Sequence, residues 1–232
     1  MRRALLLAAI CSALLGPTAH AATPLSAVEQ ALELVNEQRI DEAAAVLAPL
    51  AERGATTALE HFALGELAYY QQKYVTAAEH LQLADGLPGA LGDEAQMLSE
   101  LAVRTAEVTR SYAEARSAHF VVRYPAGKES VLVPYALDAL EKTYAALGED
   151  FGDRPATPVT VEIYSEVADL ARVSPLTIKE IETSGTIALC KWNRLMIVSP
   201  RALVFGYLWL DTLNHEYSHF IISRMSRDTV PI

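Results

Sequence analysis

Near the end of the chain, His215-Glu216-Tyr217-Ser218-His219 has the residue types and the spacing for metal-assisted hydrolysis. Residues four apart on a helix share one face, one turn up the axis. His215 and His219 can therefore aim two imidazole nitrogens at a single point, as a zinc ion (Zn2+) requires. Glu216 lies beside that face, within reach of an open coordination position. Water on zinc has its pKa lowered towards neutrality, and a neighbouring carboxylate can accept its proton. The pattern assigns His215 and His219 as metal ligands and Glu216 as general base.

These three residues need a helix to hold them. No Pro or Gly interrupts the stretch from Tyr207 to Met225, and apolar Leu208, Trp209, Phe220 and Ile222 predict a largely buried helix. Asp211 precedes His215 by four residues and is a candidate acceptor for its non-ligating N–H. Upstream, His119-Phe120-Val121-Val122-Arg123-Tyr124 alternates like a strand. A helix from about Val131 to Leu147 is expected next, with Leu132, Ala136, Leu140, Tyr144 and Leu147 on one face. Pro158 to Tyr164 reads as a second strand. Thr183–Cys190 and Arg194–Ser199 read as a hairpin turning at Lys191-Trp192-Asn193. His119 is expected to be structural.

From Pro24 to about Gly89 the chain repeats weakly every 34 residues. Ala31 aligns with Gly65, Ile40 with Tyr74, Ala43 with Ala77 and Leu47 with Leu81. Small residues at such positions let the helices of a hairpin approach closely. Polar turns are expected at Gln38-Arg39 and at Gln71-Gln72-Lys73. His61 and His80 fall on repeat helices as surface or packing residues. A long helix from Gly92-Asp93 to about Arg116 is expected to cap the pair, and the array to pack against the next domain.

Arg2, Arg3, the apolar run Ala4–Leu15 and Ala19-His20-Ala21 make a secretory signal peptide over residues 1–21, and an exported protein, periplasmic or secreted. The run is too short to span a bilayer, and no other segment has transmembrane length. The leader holds two Arg and no acid, so the net charge of −10 becomes −12 without it. Such acidity argues against nucleic acid as a partner. Without the leader only Cys190 remains, so no internal disulfide can form, and a packed thiol is expected there. The chain contains no P-loop, no G-x-S-x-G, no C-x-x-C and no dinucleotide-binding glycine motif.

The His215–His219 segment resembles the zinc helix of gluzincin metallopeptidases. The opening Ser117-Ala118-His119-Phe120-Val121-Val122-Arg123-Tyr124 looks like the start of the peptidase MA-like domain, and the 34-residue units resemble tetratricopeptide repeats. Ile222 and Met225 stand where a metzincin needs Gly and His. The resemblance implies an α+β protein. Helical-hairpin repeats over residues 24–116 would precede the mixed-sheet N-terminal half of a zincin domain over 117–232. It also implies a third ligand, a Glu on a following helix; the thirteen residues after His219 hold no Glu, so that ligand and the oxyanion stabiliser are expected beyond Ile232, in a chain read as truncated. Gluzincins bind extended peptide against an exposed strand before the metal helix. Ser184 and Gly185 are small enough for close backbone approach, so Gly185, Thr186, Ile187, Ala188 and Leu189 are expected to form the substrate-facing edge. The function implied is peptide-bond hydrolysis by an exported zinc enzyme acting on a peptide or protein substrate, with the repeats open to a protein partner. The alternative is a repeat-based binding module whose peptidase-like domain is inactive.

Overall fold

Two helical hairpins open the folded chain, and their turns are built atom for atom alike. The computed structural model describes residues 25–227; residues 1–24, which hold the expected signal peptide, and residues 228–232 lie outside the described part. Helices α1 (Ala27–Asn36) and α2 (Ile40–Arg53) form the first hairpin, α3 (Ala58–Tyr70) and α4 (Tyr74–Gln82) the second. Gln38 and Gln72 both take positive φ, 60° and 57°. Arg39 N–H donates to the Leu34 carbonyl at 2.8 Å, and Lys73 N–H to the Ala68 carbonyl at 2.9 Å. These counterparts lie 34 residues apart, so the weak periodicity in the sequence is a real structural period. The helix starts differ by one turn: the capping boxes are Ser26 with Glu29 and Thr57 with Glu60.

Close packing explains the small residues. Ala31, Ala43 and Ala77 are fully buried. A Cβ on Gly65 would lie 2.7 Å from Leu81 Cγ and 3.1 Å from the Leu81 backbone nitrogen, so α3 and α4 touch where Gly65 has no side chain.

Helix α5 spans Gly89–Thr109, starting earlier and ending sooner than the expected Gly92-to-Arg116 helix. Tyr112–Arg116 is strand β1 instead. Its Ala, Glu and Arg favour helix, but the segment pairs residue by residue with its neighbour from Tyr112↔Pro125 to Arg116↔Val121, and that pairing overrides local preference. Strand β2 (Phe120–Pro125), helix α6 (Val133–Phe151), strand β3 (Val159–Tyr164), helices α7 (Val167–Val173) and α8 (Ile178–Ser184), strands β4 (Ala188–Lys191) and β5 (Arg194–Val198), and helix α9 (Trp209–Ser226) complete the described chain. The sheet order is β1-β2-β3-β5-β4. Its inner pairs are parallel and its outer pairs antiparallel, which makes the architecture α+β with a mixed sheet.

The strand expected over Thr183–Cys190 begins only at Ala188. Thr177 and Glu180 form a capping box that starts α8, and Gly185 at φ 71° closes it with its N–H on the Ile181 carbonyl. Two ordinary helix signals, a T-x-x-E and a terminal Gly, thus claim residues that look strand-like in isolation.

Both faces of the sheet are covered. Phe120, Val122, Val161, Ile163, Leu195 and Ile197 pack with α6 and α9. Tyr164, Met196 and Val198 pack in a second cluster with Phe62, Tyr69, Leu81, Leu98, Leu101 and Leu170. Sheet and repeat helices therefore share one core.

Candidate active site

Helix α9 buries one stripe, Leu213, Tyr217, Phe220 and Ile221, at the i, i+4, i+7, i+8 spacing of a helix lying on a sheet. This narrower stripe corrects the expectation of a largely buried helix. Leu208 is 77% exposed and Trp209 and Ile222 are only half-buried, because a single sheet face supports the helix. The entry to α9 is tied down by Tyr207, whose hydroxyl donates to the Val198 carbonyl at the end of β5.

His215 and His219 project from the side of α9 turned away from that stripe. Their Nε2 atoms are 2.8 Å apart, with the rings nearly perpendicular at 89°. Two imidazole nitrogens on a tetrahedral zinc lie about 3.3 Å apart, so a small rotation of either ring accommodates the ion. Burial, then the neighbouring His215, holds the His219 pKa below its usual value, which favours the neutral, ligating form. The donor set suits zinc: two borderline nitrogens converge, with a carboxylate at the next residue. Among the described residues no third His, Cys, Asp or Glu joins them.

Asp211, the candidate acceptor, does not pair with His215. It is exposed, and among the described residues no hydrogen bond joins it to either histidine. The His219 Nδ1, where an orienting acceptor belongs, is buried without a hydrogen-bond partner among the described residues.

Glu216 is half-buried between α9 and β4. Burial raises its pKa; the charge of His215 and a hydrogen bond from the Cys190 backbone N–H oppose that rise. The hairpin geometry turns this N–H away from β5. Trp192 and Asn193 both take positive φ, 52° and 58°, in a two-residue turn. Lys191↔Arg194 therefore closes as a hydrogen-bonded pair, and the bond from Val198 N–H to the Ile187 carbonyl fixes the same parity further along. Ala188 and Cys190, at the alternate positions, turn their N–H and C=O groups away from β5. Strand β4 is the edge of the sheet, with no strand beyond it among the described residues.

The expected substrate edge falls only partly on a strand. Gly185, Thr186 and Ile187 lie in the connection after α8, and Leu189 points its backbone groups inward to Met196. Only Ala188 of the five offers outward groups within the strand. Cys190, read from sequence as a packed thiol, contributes its main chain; its parity relative to the turn is the signal that identifies it. The other described histidines lie elsewhere. His119 Nδ1 contacts Glu141 Oε2 at 2.7 Å and its ring stacks on Tyr144, while His61 and His80 contact one another.

Compared with known proteins, the chain matches no family model, no curated protein and no solved structure.

Proposed function

We propose that this chain carries the metal helix and edge strand of an exported, gluzincin-like zinc metallopeptidase that hydrolyses peptide bonds. The observation that carries the reading is the convergence of the His215 and His219 Nε2 atoms, 2.8 Å apart, with Glu216 alongside on the same helix. Zinc held there supplies a Lewis acid that polarises a scissile carbonyl and lowers the pKa of water. His215 and His219 would hold it through their Nε2 atoms. Glu216 takes a proton from the attacking water and delivers it to the departing amine nitrogen, so water is added across the C–N bond. Its raised pKa suits a group that must both accept and return a proton. The outward groups of Ala188 and Cys190 suit an extended peptide, which pairs with an edge strand through its main chain.

The recurrence of the Gln38 and Gln72 turns at 34 residues supports a tetratricopeptide-like reading of α1–α4, and with it a protein partner on the repeats. The resemblance assigns the third ligand to a Glu on a later helix.

The test uses the intact protein. Glu216→Gln is expected to retain zinc and lose peptide hydrolysis, whereas His215→Ala loses the metal. Hydrolysis by Glu216→Gln at the wild-type rate rejects the mechanism. Zinc bound with no hydrolysis in the wild type favours the binding-module alternative.

A further inference from the structure

We propose that His61 on α3 and His80 on α4 form a second metal site, a two-imidazole clip across the repeat hairpin that takes copper(II). The site stands apart from the peptidase reading and does not depend on it.

The two Nδ1 atoms lie 3.0 Å apart, with ring centroids 5.3 Å apart and planes tilted by 41°. At metal–nitrogen distances of about 2.0–2.1 Å, two nitrogens on one ion are about 2.9 Å apart across a right angle and about 3.3 Å apart in a tetrahedron. The pair thus already stands at ligating separation. Without metal, one ring must donate its Nδ1 hydrogen to the other. An ion takes the place of that hydrogen, which moves to Nε2 of the same ring, so both rings stay neutral.

The first repeat shows that the hairpin fold has no need of this pair. At the positions 34 residues earlier stand Ala27 and Val46, and that hairpin closes with the same turn. Both histidine rings are half-buried, so water can complete the coordination. Burial, then His61, lowers the pKa of His80 and keeps it in the ligating form at neutral pH, while Glu79 beside it adds negative charge that favours a cation.

The donor set selects the ion. Imidazole suits copper, zinc and nickel, and copper(II) heads the affinity order of the divalent ions. Among the described residues no third His, Cys, Asp or Glu joins the pair. Two protein nitrogens hold zinc weakly, whereas the resemblance gives the His215–His219 pair a third ligand. His61 and His80 are 19 residues apart in sequence, so an ion bound by both cross-links α3 to α4 and favours the folded hairpin.

The test uses the full chain carrying His215→Ala and His219→Ala, so that the pair on α9 cannot contribute. Copper(II) titrated into this protein should bind one equivalent more than into the same protein with His61→Ala and His80→Val added. Those replacements install the first-repeat residues, and urea unfolding without metal checks that the fold survives them. Pulsed electron paramagnetic resonance of the bound copper should show two imidazoles. After His80→Gln it should show one, with affinity lower by at least about tenfold. Copper should also raise the unfolding temperature only while both histidines are present. Equal copper stoichiometry with and without His61 and His80 overturns the proposal, as does bound copper that shows no second imidazole; either result leaves an ordinary N–H···N pair. If the doubly replaced chain does not fold, the His80→Gln comparison decides alone.

Discussion

Glu162 on β3 and Arg194 on β5 are both fully buried, with Glu162 Oε2 3.2 Å from Arg194 Nε. They sit on the sheet face that meets the repeat helices. Tyr74 of α4 donates to Glu162 at 2.7 Å, Tyr164 donates at 2.5 Å, and Arg123 approaches it at 3.1 Å. The Arg194 guanidinium lies over the rings of Tyr69, Tyr74 and Trp192. Removing one charge of such a pair strands the other. Glu162→Gln should therefore cost about 3–5 kcal/mol in urea unfolding, and adding Arg194→Met should recover part of that loss. A cost below about 1 kcal/mol would show that the aromatic rings hold the Arg194 charge without the pair.

Gly65→Ala places a methyl against Leu81. Overpacking costs about 1–3 kcal/mol, while the better helix former returns about 1 kcal/mol, so the net expectation is a loss of up to about 2 kcal/mol. Ala31, the first-repeat counterpart, already carries a methyl at its position. Leu81→Ala, which has no Cγ, removes the close atom, so Gly65→Ala should cost less in that background than in the wild type; thermal unfolding of the two single variants and the double variant measures the difference.

His61 and His80 bring their Nδ1 atoms to 3.0 Å between α3 and α4, which requires one to donate and the other to accept. Burial first, and His61 second, lower the pKa of His80 below 6.5. A histidine with a lowered folded pKa is less protonated folded than unfolded. Its stabilisation is full above pH 6.5 and is lost as pH falls from there through the folded pKa. Denaturation midpoints should fall between about pH 7.5 and about pH 5, and the fall should shrink when both residues are replaced by Gln. An identical fall in the double variant places the acid sensitivity elsewhere.

Zinc should raise the unfolding temperature of the intact protein, because the unfolded chain cannot hold His215 and His219 together. At a hundredfold excess over Kd the gain is about 2.7 kcal/mol. His219→Ala should abolish the shift, whereas Asp211→Asn should leave it intact, since Asp211 touches neither imidazole. A shift that persists in His219→Ala means that zinc binds at another site.

Features that depend only on neighbouring residues are readable in local patterns. His215, Glu216 and His219 fall together on α9 because helical spacing alone brings i and i+4 to one face. The 34-residue period was legible because each repeat is a local hairpin, whereas the contact of Gly65 with Leu81 is seen only in the fold. The tertiary structure decided what depends on partners distant in the chain. Tyr112-Ala113-Glu114-Ala115-Arg116 reads as helix, and only its pairing with β2 makes it a strand. Ser184 and Gly185 read as a strand until the capping box and closing glycine of α8 claim them. Whether the Cys190 N–H faces β5 or points away from it turns on a one-residue parity set by the Trp192-Asn193 turn, which shifts every backbone group to the other side if it slips. Helical spacing is a property of one segment; strand pairing, edge exposure and the Glu162–Arg194 contact exist only once separate segments meet.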